Sequence, residues 1–457
     1  MAEMSEIRAN ISQNDIQTLC DTIRKYNQIE PGNYDRFNVK RGLRNADGTG
    51  VMAGVTRVCS VDGYYIEDGE LIPREGKLYY RGISLSDIVA GCNAEDRFGF
   101  EEVAWLLLFG TLPTQEQLEF FCTLLGRNRE LPDDFIEDMI MKAPSPDIMN
   151  KLSRSILSLY SYDPNPDDIS LENVLRQSIS LMAKMPVIMA YAYQVKRRHY
   201  YHKSMYIHQI KPEFHTAETI LRSIRADKSF SDREAKLLDT CLMIQAEHGG
   251  GNNSTFATRV LSSSGTDMYS AIAAGIGALK GPRHGGANKK VCDMVEAIKA
   301  DVQDMTDAGQ VADALVRVMR REIGDGSGLI YGMGHAVYTL SDPRATILRA
   351  KAEEFAVGTE FEPEYRLLRN IEQMTPEVFA AEKGIRKPIC ANVDLYSGLI
   401  YKMLRIPNDL FTPIFTAARV AGWSAHRIEE LLTCNKIIRP AYKSVNGHQG
   451  YIPIQDR

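Results

Sequence analysis

The chain lacks the motifs that mark several common catalytic and binding classes. Its eight cysteines are spread singly through 457 residues, and none forms a CxxC pair. Dispersed cysteines in a chain of this length indicate reduced thiols and disfavour a zinc site, so we expect no metal. The sequence also contains no GxxxxGK[ST], HExxH or GxSxG motif. The sequence therefore lacks the usual signatures of P-loop phosphoryl transfer, zinc-dependent hydrolysis and serine-type hydrolysis.

Excess positive charge and long apolar runs are also absent. The net charge is −5 and the pI is near 6.1, so nucleic acid and anionic membranes are poor default partners. No apolar run approaches the ~18 residues that a membrane span needs. The first fifteen residues include acids and lack the apolar core of a secretory leader. We expect a cytoplasmic protein that binds neither nucleic acid nor membrane.

The dominant pattern in the sequence is amphipathic helix. Short β-branched and aromatic runs punctuated by Asp-Gly occur at 55–82, which predicts minor β-structure near the N-terminus. From Ile83 onward, apolar residues recur mostly at helical spacing. A chain of this length is typical of two domains rather than one. The prediction is a mainly α protein with two domains.

Local signals predict several helix boundaries. An S-x-x-E capping box predicts a helix over 231–248. A second long helix over 169–195 contains Pro186, which we expect to kink or divide it. Near the C-terminus, Thr412 is predicted as an N-cap with Pro413 at the first helical position.

The segment 278–288, ALKGPRHGGAN, places His284 at a glycine-rich corner before a predicted helix. The free N–H groups and positive partial charge of a helix N-terminus disfavour a protonated imidazole. A histidine held neutral there can donate a hydrogen bond to a carbonyl that is becoming an enolate. His284 is therefore a candidate catalytic residue.

Two later segments also place one ionisable side chain at a glycine-bounded or proline-bounded corner beside a predicted helix. The segment 332–344, GMGHAVYTLSDPR, carries His335, and the segment 391–398, ANVDLYSG, carries Asp394. Simpler explanations exist for each, since a histidine can occupy a turn and an aspartate can be a helix N-cap. His248, on the apolar face of the 231–248 helix, can likewise be a hydrogen-bonded core histidine.

Three arginines lie at positions where the local sequence disfavours a positive charge. Arg344 lies in the first turn of a predicted helix, where the dipole disfavours a cation. Arg419 lies on an apolar helical stripe, and Arg439 lies in an otherwise apolar IIRP segment. Arginine binds carboxylates bidentately, so the three suggest an anion with several carboxylates. Combined with histidines and an aspartate, they fit proton abstraction beside a carbonyl and protonation of a second carbonyl.

The order and spacing of these segments resemble citrate synthases over about residues 55–445. The resemblance rests on LYYRGISLSDI, FEEVAWLLLFGTLP, GPRHGGAN, GMGHAVYTLSDPR, NVDLYSG, FTPIFTAARVAGWSAH and IIRP. It implies a citrate-synthase-like multi-helical fold. The large domain would span 1–285, with an N-terminal arm at 1–54, and continue at 403–457, while a small domain at 286–402 closes over the substrates.

The resemblance also implies a reaction and its catalytic residues. The family condenses acetyl-CoA with oxaloacetate in the tricarboxylic acid cycle and then hydrolyses citryl-CoA. By this resemblance, Asp394 takes a proton from the acetyl methyl group and His284 stabilises the enol. His335 binds and protonates the oxaloacetate carbonyl. No cofactor is implied beyond the CoA thioester, which is a substrate.

The binding residues follow from the same resemblance. Arg344 and Arg419 match carboxylate-binding arginines, and His248 occupies the place of a further histidine that contacts oxaloacetate. Arg439 matches an arginine that reaches the site of the partner subunit, which implies a homodimer.

Two alternatives remain open at the level of sequence. A 2-methylcitrate synthase would use propionyl-CoA, and one methylene in an apolar pocket is worth only about 1–3 kcal/mol of discrimination. A catalytically silent helical scaffold that binds ligands or partners is the alternative from another class. The joint presence of His284, His335 and Asp394 disfavours the silent scaffold.

Overall fold

The computed structural model describes residues 13–384, 386–434 and 436–457. Backbone contacts divide the described chain into two units, one of residues 13–52 with 439–457 and one of residues 53–438. The smaller unit contains α1 (Gln13–Tyr26), α2 (Gly32–Arg36) and two short 3₁₀ turns. All the predicted site residues except Arg439 lie in the larger unit.

The larger unit is mainly helical, which confirms the predicted fold class. In the described residues its sheet consists of β1 (Cys59–Glu67), β2 (Glu70–Tyr80) and β3 (Ile83–Ser84). The helices are α3 (Leu85–Ala94), α4 (Phe100–Phe109), α5 (Gln115–Arg127), α6 (Ile148–Leu159), α7 (Leu171–Tyr200), α8 (Thr216–Ile224), α9 (Asp232–Gln245), α10 (Asn253–Ser262), α11 (Met268–Lys280), α12 (Ala287–Asp301), α13 (Ala308–Met319), α14 (Pro343–Ala356), α15 (Glu362–Lys383), α16 (Val393–Met403) and α17 (Phe411–Thr433).

The β1–β2 hairpin packs its backbone against the segment that follows His335. The two strands pair antiparallel, with a register shift at Gly63. A Cβ atom on Gly63 would lie 2.5 Å from the Val337 carbonyl oxygen, and one on Gly76 would lie 2.0 Å from that of Ser341. Both distances are too short for any side chain, so glycine at these positions lets two backbones approach closely.

Helix α17 runs through the middle of the larger unit. It packs against α4, α7, α9, α10 and α11, and most of its residues from Phe411 to Glu430 are buried. Arg419 and Trp423 are both fully buried on this helix. A buried arginine in such an environment needs a compensating partner or ligand.

The predicted 231–248 helix begins as expected but ends earlier. The capping box of Ser231 and Glu234 is present, and α9 ends at Gln245 rather than at residue 248. The helix ends early because side chains from distant parts of the chain hydrogen-bond to the carbonyl groups at this end. The Tyr80 hydroxyl lies 3.1 Å from the Met243 carbonyl oxygen, and Arg419 Nε donates to the Gln245 carbonyl at 2.7 Å. His248 therefore lies in the loop beyond the helix.

Two other boundary predictions differ from the structure. Helix α7 runs through Pro186 as one helix, so the proline does not divide it, and whether it kinks the helix stays a prediction. Helix α17 begins at Phe411, so Thr412 is not its N-cap. The Thr412 hydroxyl instead donates to the Gly285 carbonyl at 2.9 Å, a contact that local sequence does not reveal.

The predicted limits of the small domain, 286 and 402, both fall inside the larger unit and stay predictions. The predicted N-terminal arm includes residues 1–12, which lie outside the described residues. Among the helices that the structure describes, none combines the length and apolar character needed to cross a membrane.

Candidate active site

Two distant segments pair and bring His335 close to the helix that carries Asp394. Residues 332–334 form an antiparallel bridge with residues 390–392, joined by backbone hydrogen bonds of 2.7 and 2.8 Å. The Asn392 side chain donates to a carbonyl of the first segment at 2.9 Å, and its oxygen accepts the Asp394 N–H at 3.0 Å. Asn392 thus connects the His335 turn to the start of α16.

Asp394 lies in the first turn of α16, and the helix N-cap is Asn392. The simpler explanation of Asp394 as a cap is therefore wrong. Burial raises the pKa of the Asp394 carboxyl to about 6, an effect that the Arg344 charge opposes and the Asp342 charge reinforces. A carboxylate whose pKa lies near neutrality is well matched to a general base.

His335 is held in one orientation by the backbone that follows it. Its Nδ1 accepts the N–H groups of Val337 and Tyr338 at 3.1 and 3.2 Å, and the Tyr338 ring stacks on it at 4.7 Å. A neutral imidazole whose Nδ1 is an acceptor carries its proton on Nε2. His335 can therefore donate a proton from Nε2.

His284 lies in the turn between α11 and α12, as predicted. Burial and the Arg419 charge lower its pKa to about 4, which keeps the ring neutral. Its Nε2 lies 3.0 Å from Ser254 Oγ, and that oxygen also accepts the Trp423 N–H at 3.3 Å. The Ser254 hydroxyl can donate its one hydrogen bond either to His284 Nε2 or to Asn252 Oδ1, which lies 2.9 Å away.

His248 is 7 % exposed, and its ring meets the His335 ring edge-on at 5.1 Å. Burial and the charges of Arg344, His335, Arg419 and His284 hold its pKa well below the usual range. Its Nε2 has no hydrogen-bond partner in the part of the chain that the structure describes. A core histidine would have its ring nitrogens satisfied, so this unpaired atom favours a ligand over a purely structural role.

Arg344 forms a two-point contact with Asp342. Its Nε and Nη2 donate to the Asp342 carboxylate at 3.0 and 2.7 Å, and both side chains are buried. Asp342 also caps α14, whose first residue is Pro343, as the Asp-Pro pattern suggests. The adverse position of Arg344 in a first helical turn is thus offset by its own N-cap, which also orients the guanidinium.

Arg419 is fully buried and incompletely paired. Its Nε donates to the Gln245 carbonyl, and its guanidinium lies 4.6 Å from the Phe415 ring centre. Among the described residues, neither Nη1 nor Nη2 has a hydrogen-bond partner. Burial lowers its pKa, while the Glu247 charge acts in the opposite direction. Two buried, unsatisfied guanidinium nitrogens form a ready binding site for a carboxylate.

The remaining predicted residue, Arg439, is exposed in the smaller unit. The structure therefore brings together His248, His284, His335, Arg344, Asp394 and Arg419, and leaves the role of Arg439 a prediction. Within the described ranges, no group of three or more His, Cys, Asp and Glu side chains could hold a metal ion.

Sequence reasoning missed three residues that support the site. Ser254 orients His284, and the Gln245 carbonyl holds Arg419. Glu247 is fully buried, with its Oε1 3.1 Å from His426 Nε2. The signal for Glu247 is its place beside His248, whereas nothing local marks Ser254.

Comparisons with known proteins place the chain in one family. Residues 45–441 match the family described as citrate synthase, C-terminal domain. The chain is 34% identical over 414 residues to the citrate synthase of Synechocystis, covering 89% of this chain and 92% of the relative. It is 31% identical to 2-methylcitrate synthase 1 of Corynebacterium glutamicum, covering 86% and 96%. The structure of citrate synthase from Thermoplasma acidophilum, in a ternary complex with carboxymethyl coenzyme A and oxaloacetate, aligns with a TM-score of 0.73 at 25% identity, covering 92% of this chain and 99% of that one.

Proposed function

This chain belongs to the citrate synthase family, and we propose that it condenses acetyl-CoA with oxaloacetate and hydrolyses citryl-CoA to citrate and CoA. It is an acyltransferase of that type. The observation that carries the proposal is that, in the described part of the chain, Arg419 Nη1 and Nη2 and His248 Nε2 are buried without hydrogen-bond partners. A small anion with more than one carboxylate supplies the missing acceptors.

The first step is removal of a proton from the acetyl methyl group by Asp394. His284 donates a hydrogen bond from Nδ1 to the thioester oxygen, which gains negative charge as the enol forms. For Nδ1 to carry the proton, His284 Nε2 must accept a hydrogen bond from the Ser254 hydroxyl. The raised pKa of Asp394 and the lowered pKa of His284 suit a carboxylate base paired with a neutral imidazole donor.

The second step joins the two substrates. The enol carbon attacks the oxaloacetate carbonyl, and His335 gives its Nε2 proton to the carbonyl oxygen. Water then attacks the citryl thioester, so that a C–O bond forms, the C–S bond breaks and CoA leaves. No cofactor is needed, since the thioester itself provides the driving force.

Arg344, Arg419 and His248 hold the oxaloacetate carboxylates and carbonyl in this proposal. We further propose a cytoplasmic homodimer of the tricarboxylic acid cycle, in which Arg439 reaches the site of the partner subunit. Arg439→Ala should then raise the oxaloacetate KM and leave the dimer intact by sedimentation. An unchanged KM would remove Arg439 from the site.

The choice of acyl-CoA decides between two members of the family. The similarity to 2-methylcitrate synthase 1 makes propionyl-CoA the specific competitor. The test measures CoA release by chromatography at fixed oxaloacetate, with either thioester varied. A kcat/KM preference for acetyl-CoA of about tenfold supports citrate synthase, because one methylene is worth about 1–3 kcal/mol. The reverse ratio indicates 2-methylcitrate synthase, and no release with either indicates a silent scaffold.

Replacing Ser254 by alanine is expected to lower kcat about tenfold to a hundredfold. Loss of the hydroxyl frees His284 Nε2 to take the proton, so that Nδ1 no longer donates to the thioester oxygen. Steady-state kinetics and a thermal melt measure the effect. The oxaloacetate KM should stay within about twofold, because the Ser254 hydroxyl contacts His284, Asn252 and Trp423 and not a carboxylate-binding arginine. An unchanged kcat would contradict the assigned tautomer.

The kcat/KM for acetyl-CoA, measured at saturating oxaloacetate, is expected to fall as pH decreases through a midpoint at or above about 6. The pKa of Asp394 is raised to about 6, so the carboxylate becomes protonated and loses its function as pH falls through that value. The charge of bound oxaloacetate moves the midpoint upward. His284, with a pKa of about 4, stays neutral throughout. A profile that remains flat down to pH 5 would exclude Asp394 as the base.

A further inference from the structure

A buried contact joins the two helices that stand next to the proposed acid and base groups. His284 lies in the turn before α12, and Asp394 lies in the first turn of α16. Asn288 is the second residue of α12, and Ser397 lies about one turn after Asp394 in α16. Asn288 Nδ2 donates a hydrogen bond to Ser397 Oγ, and both side chains are buried.

The Ser397 hydroxyl extends this contact to the backbone of the proposed base. Because its oxygen accepts from Asn288, its one proton is available for a second bond, and the oxygen lies 3.4 Å from the Asp394 carbonyl oxygen. Two hydrogen bonds in series thus run from the Asn288 amide through the Ser397 hydroxyl to Asp394. They fix the first turn of α16 against the first turn of α12.

The two helices approach each other closely at this point. A Cβ atom on Gly398 would lie 2.6 Å from Cys292 Sγ and 3.5 Å from Asn288 Oδ1. The Cys292 thiol lies 3.8 Å from Asn288 Oδ1 and donates weakly to it. Both ends of the Asn288 amide are therefore engaged, and the side chain is held in one orientation.

The turn that carries His284 is rigidly attached to α12. The His284 N–H donates to the Gly281 carbonyl at 2.9 Å, and the Gly285 N–H donates to the Leu279 carbonyl at 3.0 Å. A Cβ atom on Gly285 would lie 2.4 Å from that Leu279 oxygen, so only glycine fits there. A displacement of α12 against α16 would therefore change the distance between His284 and Asp394.

We propose that Asn288 is a positioning residue that, through Ser397, sets the separation of His284 and Asp394. This inference rests on the proposed function, in which both groups act on the acetyl part of acetyl-CoA in one step. A misplacement of about 1 Å can cost about a hundredfold in rate. Among the described residues, the side-chain hydrogen bonds of the pair reach Cys292 and Asp394 and no carboxylate-binding arginine. Oxaloacetate binding should therefore be independent of the pair.

The test compares Asn288→Ala, Ser397→Ala and the double variant. Each single change is expected to lower kcat/KM for acetyl-CoA about tenfold, because the base and the enol donor no longer stand at their productive separation. The oxaloacetate dissociation constant, measured by calorimetry, should stay within about twofold. The calorimetric number of sites gives the folded fraction, to which the rates are normalised. A dissociation constant that rises as much as kcat/KM falls would overturn the proposal.

The double variant tests whether Asn288 acts through Ser397. Its loss in kcat/KM should be little larger than that of either single variant, since all three lack the same contact. Losses that multiply in the double variant would show two independent effects and would overturn the proposed connection.

An isotope effect tests whether the loss falls on proton abstraction. The ratio of kcat/KM for acetyl-CoA with a light methyl group to that with a deuterated methyl group should be at least as large in Asn288→Ala as in the wild type. Misplacement of the base slows C–H cleavage itself, so this step limits the rate as fully or more fully than before. A smaller ratio would mean that another step has become slow and would overturn the positioning role.

Glu296→Gln is a control on the same two helices. Glu296 lies 2.8 Å from Lys402 Nζ, a partly exposed ion pair between α12 and α16. It follows Asn288 by about 12 Å along the axis of α12, so its loss should leave all kinetic constants unchanged. Equal losses in Glu296→Gln and Asn288→Ala would reject a specific role for Asn288.

The wild type separates this inference from the proposed function. If the wild type releases CoA and the Asn288 and Ser397 variants match it, the positioning role alone is overturned. If the wild type releases no CoA, the proposed function is overturned and the positioning role falls with it.

Discussion

Asp394→Asn is expected to lower kcat about a thousandfold, within the 10²–10⁴-fold range typical of a general base. Asparagine has nearly the shape of aspartate and can occupy the same position in the first turn of α16. It cannot accept a proton from the acetyl methyl group at neutral pH. Because the change is confined to proton abstraction, the oxaloacetate KM should stay within about threefold of the wild-type value.

The design of this experiment separates catalysis from folding. Burial raises the pKa of Asp394, which means that the folded protein disfavours its charged form, so the amide should not lower the melting temperature. Asp304→Asn is the control, since Asp304 is exposed and lies in a loop between α12 and α13. A variant of Asp394 with wild-type kcat would move the base elsewhere in the site.

Arg419→Gln is expected to raise the oxaloacetate KM about a hundredfold or more. Removing one partner of a buried charged contact costs about 2–5 kcal/mol, and each 1.4 kcal/mol is tenfold. Among the described residues, two of its nitrogens are buried without a hydrogen-bond partner, so a bound carboxylate gains both contacts without displacing a protein acceptor. Glutamine offers one NH₂ group in place of the guanidinium fork and carries no charge.

Arg427 provides a matched control on the same helix. It is also fully buried, and its Nη2 donates to the Thr266 carbonyl at 2.6 Å. Arg427→Gln should therefore lower the melting temperature and leave the oxaloacetate KM unchanged. If both variants shift KM equally, the effect reports damage to α17 rather than loss of an anion contact. If Arg419→Gln leaves KM unchanged, the carboxylate binds elsewhere.

The sequence alone determined the features that depend on neighbours within a few residues. The start of α14 at Pro343 follows from Asp342, because the cap and the proline act inside one turn. The capping box of α9 and the Asp-Gly turn between β1 and β2 are local for the same reason. The mainly α class and the family also follow from sequence, since periodicity and long motifs need no tertiary information.

The features decided by the tertiary structure are those in which the partner comes from a distant part of the chain. Helix α9 stops at Gln245 because Tyr80 and Arg419 bind its last carbonyls, across 163 and 174 residues. His284 is oriented by Ser254, 30 residues before it, and Asn392 contacts the His335 turn across 58 residues. Burial by distant parts of the chain also raises the pKa of Asp394, and it leaves two Arg419 nitrogens without a hydrogen-bond partner among the described residues. These properties arise from exclusion of water by packed helices, and a sequence motif identifies a residue without showing what surrounds it.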